Sequence, residues 1–151
     1  MDVESAIRSR RTHKVYAAEP VDRETLLGLL ELARWAPNHH LTEPWRFRVI
    51  GPETFDRLVA ASVVYTGDEH QNREDLLATA CAVYAVLLGA TARGLASYWR
   101  TPKLFETEAA REILGLEPNE EFVALIHLGR SAAEPPEGRR RPAEEYVSFL
   151  P

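Results

Sequence analysis

The chain has 151 residues, 45% of them apolar, with a formal net charge of -5. That length suits one domain, and a domain of this size buries about 70% of the surface its unfolded chain exposes. A pI of about 5.6 argues against broad nucleic-acid binding. The single cysteine excludes an internal disulfide and suits a reducing cytosol, and no N-terminal apolar run resembles a signal peptide.

The first predicted element is a short helix near 2–11. Asp2 can cap it, and Val3, Ala6 and Ile7 give it one apolar side. Arg8, Arg10, Arg11 and Lys14 then arrive within a short span, with Thr12 among them, against the acidic average. Such a cluster is either a solvated basic helix end that complements the helix dipole or a phosphate site. In the second case guanidinium forks and a hydroxyl donate to phosphate oxygens.

A second helix is predicted near 23–36, where Leu26, Leu29, Leu30 and Ala33 recur at helical spacing up to Trp35. Pro37 ends it, because proline cannot continue the hydrogen-bond ladder. A strand near 45–50 follows, with Phe47 and Val49 alternating with Arg46 and Arg48. Trp35, His39, His40 and Trp45 crowd the connector between these elements. Trp45 reads as a core aromatic. His39 and His40 fit a solvated loop and a ligand contact equally well. No acidic or cysteine residue follows at a ligand-like spacing, so no metal site is expected.

Pro52 suits the first turn of a third helix, predicted near 52–60. A strand near 62–66 and a helix near 71–94 come next. Leu76, Leu77, Ala80, Val83, Tyr84, Leu87 and Leu88 make that helix apolar nearly all round. It reads as buried in a core or a subunit interface rather than as a membrane span, with Cys81 as a small buried hydrophobe. A strand near 96–99, a helix near 107–115 and a strand near 122–128 complete the pattern. His127, inside that last strand, reads as structural rather than catalytic. The segment from Ser131 to Arg141, rich in Pro, Ala, Glu and Arg, reads as an extended departure from the core.

Six stretches, in order, resemble the flavin-dependent nitroreductase family. Arg10-Arg11-Thr12, followed by Lys14 and Tyr16, resembles the family's opening pattern, and Glu19-Pro20-Val21 its acid-Pro-Val step. Ala33 through Phe47 resembles its Ala-Arg-x-Ala-Pro to Pro-Trp-x-Phe segment. Gly94 through Thr101, containing Trp99-Arg100-Thr101, resembles its Gly-x-x-x-x-Trp-Arg-Ser/Thr turn. Phe122 through Gly129 resembles its late central strand, and Arg140 through Val147 its Arg-Lys/Arg-Pro-x-Glu-Glu tail. The Trp-Arg-Thr form points to the small NAD(P)H nitroreductase branch. One departure lies near 55–74, which is shorter than the family pattern by a few tens of residues. Either the protein lacks that helical, lid-like stretch or the sequence omits it, and the shortening bears on substrate-pocket residues more than on cofactor residues.

The resemblance implies a single α+β domain over residues 1–151, with a central mixed, mostly antiparallel sheet flanked by helices. It implies a homodimer with exchanged C-terminal tails and FMN at the interface. Arg10 and Thr12 would lie near the ribityl phosphate, with Arg11 adjoining, and Lys14 near the flavin pyrimidine edge. A cation or donor there would stabilise the negative charge of reduced flavin. Trp99, Arg100 and Thr101 would contact the isoalloxazine or its phosphate side, while Trp35 and His39 would reach the flavin from the partner chain.

No protein residue is assigned a catalytic role, because flavin N5 carries the chemistry. NADH or NADPH would deliver hydride, leave, and be replaced by a nitroaromatic, quinone or similar small acceptor in a ping-pong cycle. No Gly-x-Gly-x-x-Gly occurs, consistent with a nicotinamide site on the flavin face itself. The alternative is a non-catalytic flavin-binding carrier or sensor, if the shortened middle has removed the wall that holds nicotinamide. A related flavin enzyme of other chemistry, such as flavin fragmentation or reductive dehalogenation, would carry lid motifs not found here. A cytoplasmic location is expected.

Overall fold

The computed structural model describes residues 1–51, 57–135 and 137–150. Among the described residues four α-helices, α1 (Val3–Ser9), α2 (Arg23–Ala33), α3 (Glu69–Ala92) and α4 (Glu108–Leu114), accompany four strands. These are β1 (Trp45–Ile50), β2 (Arg57–Val64), β3 (Ala96–Arg100) and β4 (Glu120–Gly129). Side chains cap the first three helices at their exposed amide groups. Asp2 accepts from Ser5 N at 2.9 Å, Asp22 from Thr25 N at 2.7 Å and Asp68 from Gln71 N at 2.8 Å.

The first two helices end at Ser9 and Ala33, earlier than their apolar spacing suggests. After Ala33 the chain tightens: Trp35 N and Ala36 N donate to carbonyls three residues back, at 3.2 and 3.1 Å, just before Pro37. The expected helix near 52–60 is corrected, since residues 57–60 open β2; residues 52–56 lie outside those described. Val59, Ala60 and Ala61 are compatible with either state by local preference. Pairing with β1 on one side and β4 on the other makes this run a central strand, and all three residues are buried. A continuous apolar run is what a strand covered on both faces requires.

The sheet order is β1-β2-β4-β3, with antiparallel pairing throughout and an irregularity between Ala61 and Ser62. A parallel bridge from Thr12 to Ser97 lays the N-terminal segment along β3, giving the mixed, mostly antiparallel α+β architecture. Helix α3 packs on all four strands and on α1 and α2. Ala78, Ala82, Val83, Val86, Leu87 and Ala90 enter the core beside Leu29, Val59, Ala61, Ile126 and Leu128. Gly89 lets α2 approach closely, because a Cβ there would stand 2.5 Å from Leu32 Cδ1. Trp45 is buried in the same core. By length and hydropathy α3 could cross a membrane, yet its inner face is occupied by the sheet and α2.

Trp45 and Phe47 face this core, so Arg48 lies on the sheet's other side by alternation. There Arg48 Nη1 sits 2.8 Å from Glu120 Oε2 and donates to Ser62 Oγ at 2.9 Å, while Ser62 donates to Glu120 at 2.9 Å. Burial raises the Glu120 carboxyl's pKa, but the Arg48 and Ser62 hydrogen bonds and the charges of Arg48 and Arg46 outweigh it. The net result lies below the ordinary value. A carboxyl depressed by folding contributes stability above its unfolded pKa, and that contribution is lost as pH falls through its lower folded value. Thermal melts across pH 3–7 should therefore show a steep acid-side decline that Glu120→Gln flattens. Arg48→Met should cost about 3 kcal/mol at neutral pH by leaving Glu120 buried and unpaired.

Candidate functional site

Along the outward face of α3 gather four of the nine expected site residues, Arg10, Arg11, Trp35 and His39. Its inner face is filled, but Leu77 and Tyr84 are exposed apolar groups on the outer one. Cys81 is exposed there as well, which corrects the expectation of a buried hydrophobe. A helix apolar on every side cannot place every apolar residue inward when only one side meets the sheet.

Three adjoining concavities run along this face. At one end, Arg8, Arg10, Arg11 and Arg140 line a cavity of about 580 Å³ with Ile7, Gly138 and Tyr84. Tyr84 also lines the middle groove, of about 400 Å³, whose walls include Val3, Ala6, Leu32, Trp35, Cys81 and Leu88. Cys81 and Pro37 continue into a shallower depression of about 340 Å³ with His39, Glu74 and Leu77.

The cations in the first cavity are differently committed. Arg8 pairs with Glu4 at 2.8 Å. Arg11 Nη1 donates to the Arg8 and Arg10 carbonyls at 2.6 and 2.9 Å, and its guanidinium lies where a Cβ on Gly138 would stand. Arg140 Nη1 donates to its neighbour's carbonyl at 2.7 Å. No described residue hydrogen-bonds the Arg10 guanidinium. Burial, then the Arg10 charge, lowers the pKa of nearby His13, and Glu134 opposes them. The cluster is thus a site of positive potential with one uncommitted guanidinium.

Thr12 and Lys14 are not in that cavity. They line a neighbouring one of about 230 Å³ with His13, Val15, Ala133, Glu134 and Pro135. His13 N donates to Ser97 O at 3.1 Å, which fixes this segment against the start of β3. Farther along β3, Trp99 packs partly against the core, and the Arg100 guanidinium sits 5.7 Å from the Tyr98 ring centroid. Thr101 is exposed. His127, between Tyr16 and Tyr98 at centroid distances of 6.2 and 5.7 Å, is held in an aromatic stack.

Trp35 is 77% exposed at the rim of the middle groove, with the Arg34 guanidinium 5.7 Å from its ring centroid. His39 Nδ1 lies 2.8 Å from Glu74 Oε2, and its ring stacks on His40 at 3.8 Å. The connector carrying them contains three non-glycine residues at left-handed φ: His40 at 56°, Leu41 at 52° and Glu43 at 43°. Such residues cost about 1–2 kcal/mol each, so the loop is held by its surroundings. Thr42 Oγ1 donates to Asp75 Oδ1 at 2.6 Å, and Glu43 N donates to Asn38 Oδ1 at 3.0 Å.

Tyr84, Arg140, Glu74 and Asp75 are the site neighbours that sequence reasoning did not single out. Glu74 and Asp75 close the polar opening turns of α3, just before its apolar run begins at Leu76, so their spacing alone does not mark them. Tyr84 and Arg140 meet the cluster only through long-range packing, which local patterns do not report.

A model described as Nitroreductase family matches residues 7–64 and 59–130. The "Putative NAD(P)H nitroreductase YfhC" of Bacillus subtilis (strain 168) is 28% identical over 178 aligned positions, covering 95% of this chain and 92% of that protein. A nitroreductase-like family protein from Bacillus cereus superposes with a TM-score of 0.91 at 23% identity, covering 99% and 96% of the two chains. A structure from Desulfovibrio desulfuricans, described as a "putative nitroreductase in complex with FMN", gives a TM-score of 0.83 at 26% identity. That alignment covers 100% of this chain and 99% of the other. On the fold and on the family match over most of its length, the chain belongs to the nitroreductase family.

Proposed function

We propose that this protein is a cytosolic FMN-dependent oxidoreductase, active as a homodimer, that uses NADH or NADPH to reduce nitroaromatic, quinone or similar small acceptors. The observation that carries this reading is the cationic cavity with its uncommitted Arg10. A monophosphate fits that donor chemistry: Arg10 and Arg140 supply guanidinium donors. Arg11 braces the loop through the Arg8 and Arg10 carbonyls rather than offering a free fork. Thr12 and Lys14, in the next cavity, would meet the ribityl and flavin-ring portions, with Trp99, Arg100 and Thr101 beyond them on β3. The FMN-bound relative and the relatives named for NAD(P)H support the choice of cofactor and donor.

FMN, when bound, supplies the redox chemistry by accepting hydride at N5 and passing reducing equivalents to the acceptor. The chain's own work is to bind, orient and exclude water. Trp35 and His39 do not line this chain's own cationic cavity, and in this reading they would reach the cofactor of a second copy laid on the outer face of α3. The tail supports such a pairing. Its Phe149 and Leu150 are 95% and 87% exposed in the single chain and need cover. A two-fold contact that hides both features is on the scale of roughly 2,000 Å².

The chain forms, in this reading, one FMN-binding domain shortened near 55–74. Two observations favour the shortening. The family match restarts at residue 59 before its first segment has ended at 64. The alignment with the Bacillus subtilis relative also runs over more positions than this chain has residues. A missing wall leaves a carrier or sensor of flavin as the second reading, and anaerobic titration separates the two. NADH or NADPH should bleach the bound flavin at a useful rate, whereas a flavin that stays oxidised identifies a carrier or sensor.

Purified protein should release FMN, not FAD, on chromatography. Arg10→Ala should weaken FMN binding by about 1.5–3 kcal/mol, the scale of a hydrogen bond to a charged group. Unchanged retention would return the cluster to a solvated helix end. Deleting residues 142–151 should lose the dimer and the flavin together, as read by sedimentation and absorbance. A truncated monomer that keeps FMN would break the link between interface and site.

A further inference from the structure

We propose that Asp75 is a positioning residue for the candidate flavin site, holding the 38–43 loop through Thr42 so that His39 is presented in one fixed orientation. The inference rests on the reading of His39 as a flavin-facing residue.

The loop's strain is the first ground. His40, Leu41 and Glu43 all take left-handed φ although none is glycine or asparagine. Backbone strain of this kind persists only where neighbouring structure over-determines it, and it concentrates at ligand clamps. The clamp is visible: the 2.6 Å bond from Thr42 to Asp75, the Asn38 contact to Glu43 N, and the Glu74 contact to His39 Nδ1. Leu41, at the loop's crest, is 81% exposed, so the shape is not imposed by packing of that side chain into a core.

Asp75 itself is the second ground. It is 1% exposed. Its Oδ1 accepts from Thr42 and, at 2.9 Å, from Gln71, while its Oδ2 has no hydrogen-bond partner among the described residues. A carboxylate buried with only neutral donors is costly to keep for folding alone, since a neutral acceptor would serve Thr42 with less desolvation. What the carboxylate gains is a strong, short anchor for a strained loop. With Glu74 holding Nδ1 and His40 stacked on one face, the ring's other nitrogen and its other face are what the loop offers outward.

The test uses full-length protein reconstituted with FMN, comparing wild type with Thr42→Val, Thr42→Ser, His39→Ala and the Thr42→Val/His39→Ala double variant. Three quantities are read: the FMN dissociation constant, the visible circular dichroism of bound flavin, and the melting temperature without FMN. Thr42→Val should weaken FMN about tenfold, the effect of one hydrogen bond to a charged group, and alter the flavin dichroism. Its melting temperature without FMN should fall by less than the affinity loss implies, because released strain offsets part of the lost bond. Thr42→Ser should restore both flavin properties, and the double variant should bind FMN no worse than His39→Ala alone. Wild-type affinity in Thr42→Val overturns the proposal. So do strictly additive losses in the double variant, and so does a melting temperature that falls in step with affinity. A wild-type protein that takes up no FMN overturns the cofactor reading along with it.

Discussion

Helix α3 is apolar on two faces, and the chain can satisfy only one of them. The inner face meets the sheet and α2, where Val83, Val86 and Ala90 are fully buried and Gly89 brings Leu29 and Leu32 close. The outer face keeps Leu77, Cys81 and Tyr84 in solvent. At roughly 25 cal/mol per Å² of apolar surface, covering such a face is a substantial driving force for association. The position of the candidate site follows from this constraint. The cationic cavity, the Trp35 groove and the His39 depression follow one another along the uncovered helix face, sharing Tyr84 and then Cys81. In the proposed dimer, whatever covers α3 also completes the site.

The polar groups at the margins of α3 have a different job from its apolar ones. Glu74 and Asp75 sit in its second turn, where they reach the 38–43 loop instead of solvent. Farther along it, Tyr84 borders both the apolar groove and the guanidinium cluster. The helix therefore serves as a ruler that sets the spacing between a strained histidine loop and a cationic pocket. On the far side of the sheet, the Arg48–Glu120–Ser62 network has no part in that site and ties β1, β2 and β4 to one another.

Much of the fold was legible because local chemistry and tertiary structure agree. Asp2 caps the helix it was expected to cap, and the Trp45–Ile50 alternation is a strand with its aromatics inward. Where the two disagree, the sequence misleads. Val59-Ala60-Ala61 suits a helix locally, and only its pairing partners on both sides, remote in sequence, make it a strand. Cys81 looked buried because its whole helix is apolar, yet exposure depends on which face meets the sheet. The Arg10 cluster was visible as charge against an acidic average. Its separation from Thr12 and Lys14 into two cavities depends on the bridge from Thr12 to Ser97, which no spacing reveals. The strain at His40, Leu41 and Glu43 left no mark either, since Glu74 and Asp75, which hold the loop together with Asn38, lie more than thirty positions from their partners.

The central proposal is a flavin site built from the cationic cavity of one chain and the Trp35–His39 edge of another. The most direct measurement mixes two defective variants, Arg10→Ala and His39→Ala, unfolds and refolds them together, and titrates the isolated mixed dimer with FMN. If each site draws Arg10 from one chain and His39 from the other, one of the two sites is restored. Half of the sites should then bind with wild-type affinity while the other half bind worse than in either variant alone. If every site in the mixed dimer shows a single-variant affinity, with none restored, the two groups act within one chain and the shared site is contradicted.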